Sequence, residues 1–371
     1  MKSFFGVDKK IRIGGIIAAI IASIIILSSP SGPPPIPPPN FQESGNETIQ
    51  IITTNLEKPW ALAISDEKIF ITERSGKIRV IKSDIMLEEP LATLRPANTF
   101  DGGLLGIALH PNFTTNHFLY VYLTYEEDGN LWNKILKITE SENKLKDVIP
   151  ILEKIPGSKF SNGGVIKFGP DNKLYVATGA GPDSSHNAQD LNSLAGKILR
   201  LNDDGSTPTD NPFSDSQVYS YGHSNPKGMA WDHFGRLYVT ELGPSKNDEI
   251  NLIIPGKNYG WPEKQCSGNV DFVNSIVCYD PEIEPGGIVF YSGDRLEFKN
   301  DMIMASMKPE KLDRIKITTE GVEYQKSILS GLGRIRDVSE GHDGYLYLIT
   351  SNTDGKAFPD SLDDKLVRIL K

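Results

Sequence analysis

One short pattern recurs six times along the chain and limits what it can become: a Gly/Asp-rich turn, an apolar pair, then alternating residues. The pairs are Ile69-Phe70, Leu119-Tyr120, Leu174-Tyr175, Leu237-Tyr238, Met302-Ile303 and Leu346-Tyr347, set in segments such as GPDNKLYVATG, DHFGRLYVTELG and GHDGYLYLIT. Successive pairs lie 50, 55, 63, 65 and 44 residues apart. Each interval holds four strands and their loops, and self-similarity near this period signals a propeller. Six copies predict six blades. A β-sandwich with unrelated hairpins would not keep the same turn-then-aromatic order six times. A radial array must close, and TIQIIT (48–53) and KLVRIL (365–370) are the candidates to pair its ends. No long segment carries apolar residues at helical spacing. With 34 Gly and 25 Pro in 371 residues, the expected class is all-β, a six-bladed β-propeller over residues 48–371.

Ahead of the repeats, Lys2, Lys9, Lys10 and Arg12 precede an apolar run from Ile13 to Leu27, and residues 29–39 read SPSGPPPIPPP. At about 1.5 Å per residue, the apolar run with its Ser flank just approaches the roughly 30 Å of a bilayer core. We read residues 1–29 as an uncleaved membrane anchor, with a cleaved signal peptide as the alternative, and 30–47 as a stiff Pro-rich linker. Both readings place the domain on the extracytoplasmic side, because the basic residues stand before the apolar run. Residues 1–29 hold four of the 39 Lys/Arg and one of the 48 Asp/Glu, so the remainder carries a net charge of −12. That excess of acid argues against a nucleic-acid partner, which needs a basic stripe to meet phosphates. Cys266 and Cys278 are the only cysteines. In an oxidising compartment they close a short disulfide loop or stand as two free thiols, and without neighbouring histidines they make no zinc site.

Several clusters have the residue types for chemistry. Arg334 and Arg336 are two apart in GLGRIRDV, so on a strand they share a face. With Lys308 they suit a polycarboxylate ligand through guanidinium forks, and equally suit a salt-bridged pair with Asp337 or another acid. Leu242-Gly243-Pro244 followed by Asp248-Glu249 offers carbonyl and carboxylate oxygens, the ligands calcium takes, and also reads as a plain turn. Ser161-Asn162-Gly163-Gly164 lets backbone approach a ligand or a neighbouring strand. Among six histidines, His223 directly after Gly222 is the best placed proton acceptor, followed by His186 in a long polar loop.

The motifs LEKPWALAI (56–64), DGGLLGIALHPNF (101–113), NGGVIKFGPDNKLYVATG (162–179), AQDLNSLAGKILRLNDDG (188–205), YGHSNPKGMAWDHFGRLYVTELGPSKNDEINLIIPGKNYGWP (221–262), PGGIVFYSG (285–293) and GLGRIRDV (331–338) resemble the soluble quinoprotein glucose dehydrogenase and aldose sugar dehydrogenase family, also called glucose/sorbosone dehydrogenase. The resemblance covers about residues 50–371. It implies a six-bladed propeller whose channel mouth holds pyrroloquinoline quinone and calcium, and oxidation of a sugar hemiacetal to a lactone by hydride transfer. It implies that Lys308, Arg334 and Arg336 meet the cofactor's carboxylates and carbonyls, and that Asp101, Gln189, Ser224 and Asn225 lie at cofactor positions. By the same resemblance Gly243 and Pro244 hold calcium, and Asp248, Glu249 and Tyr259 match a structural calcium region of some members.

Two positions depart from the family pattern. Ser161 stands where the family has the histidine that takes the sugar's hydroxyl proton, and Ser224 stands where it has an arginine that stabilises developing charge. Position 101 is Asp where members carry Gln or Glu. Losing a base or an electrostatic stabiliser costs about two or more orders of magnitude in rate. The expectations are therefore an anchored sugar dehydrogenase with a small-molecule sugar as substrate and an unknown electron acceptor, its base supplied elsewhere, His223 being one candidate. The alternatives are a propeller that binds quinone or carbohydrate without turnover, and a protein-binding scaffold.

Overall fold

The computed structural model describes residues 41–371, apart from 45–46, 98, 182–183, 245, 265, 267–270 and 319–320. The anchor expected at 1–29 and most of the linker lie outside these residues. No helix among the described residues is long and apolar enough to cross a membrane. Six antiparallel sheets, each of four or five strands, make up the chain. Their innermost strands are Pro59–Ile64, Leu104–Leu109, Gly163–Phe168, Pro226–Trp231, Pro285–Phe290 and Ile335–Glu340, and each contacts the inner strands of both flanking sheets. That ring is a six-bladed propeller.

All six repeated apolar pairs fall on the second strand of their blades, and every one of these residues is buried. A second strand has a neighbouring blade over each face, so both of its faces want apolar residues. This is why the sequence shows pairs there rather than strict alternation. The turn ahead of the pair has its own role. Tyr175, Tyr238 and Tyr347 each donate their hydroxyl to the aspartate of the preceding turn, Asp171 at 3.0 Å, Asp232 at 3.4 Å and Asp343 at 2.8 Å. The turn-then-aromatic order is thus a hydrogen bond repeated in three blades, giving a buried phenol the partner it needs.

The ring closes through the strand Glu47–Thr53, which pairs antiparallel with Leu366–Ile369 in the register Ile49 to Ile369 and Ile51 to Val367. Both ends of the chain thereby complete the sixth blade, as their sequences suggest. A further strand, Phe41–Ser44, pairs with Glu47–Thr53 inside the stretch expected to be linker. Cys266 and Cys278 form a disulfide with Cα atoms 5.5 Å apart.

One feature of the inner strands positions the site. In every blade the register between the innermost strand and its neighbour slips near the strand's start: at Pro59/Ala61, Leu104/Ile107, Gly163/Val165, Pro226/Gly228, Pro285/Ile288 and Ile335/Asp337. A bulge leaves a residue outside the pleat and re-aims its side chain. The residues so released include Trp60, Lys227 and Arg336. Around the axis the strands crowd so closely that a Cβ on Gly286 would overlap the Arg336 carbonyl oxygen, and one on Gly106 that of Gly164.

Candidate active site

A cavity of about 970 Å³ opens at the mouth of the ring and draws its walls from all six blades. The three bulge residues Trp60, Lys227 and Arg336 line it, with Arg74, Asp101, Ser161, Ser224, Asn225, Gly243, Pro244, Trp261, Arg334 and Lys356. Its lining carries six Lys or Arg residues against four Asp or Glu, a cationic excess in an otherwise acidic chain.

The two arginines of GLGRIRDV behave differently. Arg334 is consumed by protein acids: Nη2 lies 2.8 Å from Glu284 Oε2 and 3.0 Å from Asp354 Oδ2. Arg336 is equally buried, yet its guanidinium carbon only sits 4.2 Å over the Trp60 ring. Among the described residues it has no ion pair and donates no side-chain hydrogen bond. Burial lowers its pKa to about 10 despite Asp337 and Asp101 nearby. Asp337, expected as a possible partner, instead accepts the Leu62 amide at 3.0 Å. The salt-bridge reading of this pair thus holds for Arg334, with Glu284 and Asp354 rather than Asp337 as partners, while Arg336 keeps its donors open to the cavity. Trp261 Nε1, also at the cavity, is a buried donor without a partner among the described residues. The unused donors of Arg336, open to the cavity, suit an acceptor-rich ligand.

Asp101 and Lys227 form the other charged pair, with Nζ 3.4 Å from Oδ2. Burial pulls the Lys227 pKa down to about 8, partly opposed by Asp101. Burial alone would raise Asp101, but Lys227, Arg74 and Arg336 outweigh it and hold the carboxyl below its ordinary value. The same Asp101 oxygen accepts the backbone N–H of Ser161 at 3.1 Å. Ser161 has φ +57°, a left-handed conformation that is uncommon for non-glycine residues. Asn225 accepts the Gly163 amide at 3.0 Å and so fixes the neighbouring inner strand.

Other candidates fall outside the cavity. His223 is fully buried between Ser220 Oγ at 2.8 Å and Glu241 Oε1 at 2.5 Å, with its ring stacked on Tyr259. Both ring nitrogens are engaged away from the channel, so His223 is not the substitute base. The Lys308 ammonium pairs with Glu282 at the surface and does not line the cavity. Lys227 and Lys356 supply the cations there instead. Gln189 and Asn258 exchange side-chain hydrogen bonds, and Gln189 Nε2 donates to the Trp261 carbonyl at 2.6 Å, holding the turn that carries this indole.

The proposed metal residues also divide. Gly243 and Pro244 lie on the cavity wall. The Asp248 carboxylate is spent on three backbone amides, Gly243 at 2.8 Å, Ile283 at 2.7 Å and Glu284 at 2.8 Å, so it shapes the lip rather than offering free oxygens. Glu249 faces Glu241 across adjacent strands, and burial together with that like charge raises its pKa to about 7. Tyr259 spends its hydroxyl on the Leu252 carbonyl and Ile254 amide. No cluster of three or more His, Cys, Asp or Glu suited to a metal exists among the described residues.

Lys227, Lys356 and Trp60 escape a motif-by-motif reading. A signal for two of them exists in register: Pro59-Trp60 and Pro226-Lys227 occupy the same place at the start of their inner strands as Ile335-Arg336.

The model of the glucose/sorbosone dehydrogenase family matches residues 56–362. The chain belongs to the glucose/sorbosone dehydrogenase family. Aldose sugar dehydrogenase YliI of Escherichia coli is 29% identical over 340 residues, which cover 83% of this chain and 91% of that protein. Quinoprotein glucose dehydrogenase B of Acinetobacter calcoaceticus is 36% identical over 254 residues, 59% of this chain and 53% of that one. The solved PQQ-bound aldose sugar dehydrogenase of Streptomyces coelicolor is 34% identical with a TM-score of 0.78, covering 87% of this chain and 97% of that one. In this member of the glucose/sorbosone dehydrogenase family the cavity lies where all six blades come together.

Proposed function

We propose that this chain is a pyrroloquinoline quinone-dependent sugar dehydrogenase that oxidises an aldose to its lactone. One observation carries the reading: Arg336, a buried guanidinium over Trp60, faces the cavity with its hydrogen-bonding capacity unused. The donor set fits a flat polycarboxylate. Arg336, Lys227 and Lys356 offer cations, and Trp60 offers a planar surface. The backbone oxygens of Gly243 and Pro244 suit a calcium ion, with the remaining ligands coming from water or the cofactor, because no carboxylate cluster stands ready.

When bound, the quinone would supply a two-electron acceptor for hydride from the sugar's anomeric carbon. The protein's own contribution is to hold, orient and exclude water. Arg334, locked by Glu284 and Asp354, braces the wall beside Arg336. Phe100 and Phe160, tilted against each other with centroids 4.9 Å apart and both lining the cavity, offer an apolar face to a sugar ring. The Cys266–Cys278 disulfide supports export, since such bonds persist in oxidising compartments. A tether through residues 1–29, and the electron acceptor, remain parts of the proposal. A second reading, quinone or carbohydrate binding without turnover, is favoured by Ser161 and Ser224 alone.

The test is a titration of the protein with quinone and calcium followed by absorbance. Arg336→Ala removes a charge-assisted contact and is expected to weaken binding about tenfold to a hundredfold. Equal affinity of the variant, or no binding by the natural chain, would sink the cofactor assignment.

A further inference from the structure

Resting on that reading, we propose that Asp101 and Lys227 together carry what positions 161 and 224 lack: Asp101 is the base that takes the proton of the anomeric hydroxyl, and Lys227 is the fixed positive charge of the site. The geometry points to this pair. The Asp101 carboxylate is held against position 161 by the Ser161 amide at 3.1 Å, so it stands beside the place from which a base would act. It lines the cavity with its side chain 30% exposed, whereas the Lys227 side chain behind it is only 5% exposed.

Lys227 reaches this place through the bulge between Pro226 and Gly228, which turns an inner-strand residue toward the mouth. Its ammonium has three donors and, among the described residues, one partner, Asp101 at 3.4 Å. A pair kept only for packing is better replaced by apolar side chains, because burying two charges usually costs more than their attraction returns. Here the pair opens onto a cavity with donor capacity left over.

The titratable and charged groups facing the pair are Arg74 and Arg336 at the mouth. Lys167 and Asp337 lie further along the channel, in a second small cavity that Lys227 also lines. Three cations around one carboxylate keep Asp101 ionised at neutral pH, the state a base requires. Asp101 would take the hydroxyl proton, and the quinone, when bound, would supply the acceptor for the hydride from the same carbon. The C–O bond becomes the lactone carbonyl, so the sugar is oxidised and the quinone is the oxidant. Lys227 offsets the negative charge that moves into the site. The cation is present below the Lys227 pKa and lost as pH rises through about 8.

The experiment uses the full chain in detergent, loaded with quinone and calcium, with an aldose and an artificial acceptor. Asp101→Asn and Lys227→Met are each expected to lower kcat about 100-fold or more; quinone affinity should stay within about threefold in Asp101→Asn and weaken in Lys227→Met, which also removes a cation of the cofactor site. Wild-type kcat should fall as pH rises through about 8. Lys227→Arg should restore most of the rate and abolish that fall, since arginine keeps its charge. A readout independent of turnover is acylation of Lys227 in the unloaded chain, followed by mass spectrometry. Its midpoint should lie near 8 in the natural chain and lower in Asp101→Asn.

Equal midpoints, a rate that rises through that pH, or full turnover in Asp101→Asn would overturn the assignment. Turnover that survives both substitutions overturns it and leaves the dehydrogenase reading standing. A natural chain that binds quinone but oxidises no aldose overturns both.

Discussion

A guanidinium held in a cavity wall with no protein partner keeps its donors for whatever enters the cavity. Arg336 is such a residue, and the contrast with Arg334 two positions earlier shows why spacing alone could not sort them. Both face the cavity, but only Arg334 meets Glu284 and Asp354, which lie far away in sequence. His223 shows the same limit from the other side. Its place in the most distinctive motif made it a natural base, and only the fold reveals that Glu241 and Ser220 occupy both ring nitrogens. Lys197 carries a structural prediction at this scale. Its ammonium donates to the carbonyls of Asn187 at 2.6 Å, Ala188 at 3.1 Å and Ala195 at 2.8 Å, tying the loop that bears Gln189. Lys197→Met leaves the Asn187 and Ala195 carbonyls unpaired, while Ala188 keeps the Gly222 amide, and we expect a loss of about 2 kcal/mol or more in chemical denaturation. A loss under about 0.5 kcal/mol would mean that the tie is dispensable.

Among the elements, second strands were legible and inner-strand bulges were not. A second strand is covered on both faces, so its apolar pair and preceding Asp turn leave a strong repeated trace. A bulge is a one-residue slip with no composition of its own, yet it decides that Trp60, Lys227 and Arg336 point into the mouth. The lip residues have the same character: Asp248 looks like a calcium ligand by type, while its oxygens in fact cap the amides of Gly243, Ile283 and Glu284. Because the bulges depend on tight packing of inner strands, Gly286→Ala should reach the site from outside it. The added Cβ would collide with the Arg336 carbonyl oxygen. We expect about 1 to 3 kcal/mol of destabilisation together with weaker quinone binding, measured by thermal melting and absorbance titration. Unchanged quinone affinity in a destabilised variant would show that the bulge does not depend on this contact.

At the scale of the whole molecule, the blade count, the closing strands 48–53 and 365–370 and the family were all legible, because ring closure and a repeat each demand local sequence that cannot be hidden. The cavity was legible only as a location. Its walls come from six blades, so each charge is set by neighbours from distant segments, as with Asp101, Lys227, Arg74 and Arg336. The ring also explains how this member can differ from the family pattern at Ser161 and Ser224 and still present a charged mouth: adjacent blades contribute other residues to the same space. The most direct measurement is anaerobic mixing of the quinone- and calcium-loaded full chain with an aldose, following the quinone absorbance. Stoichiometric reduction of the bound quinone, with lactone formed in equal amount, is the expected result. Bound quinone that stays oxidised with every aldose tried would contradict it and leave a propeller that binds without turnover.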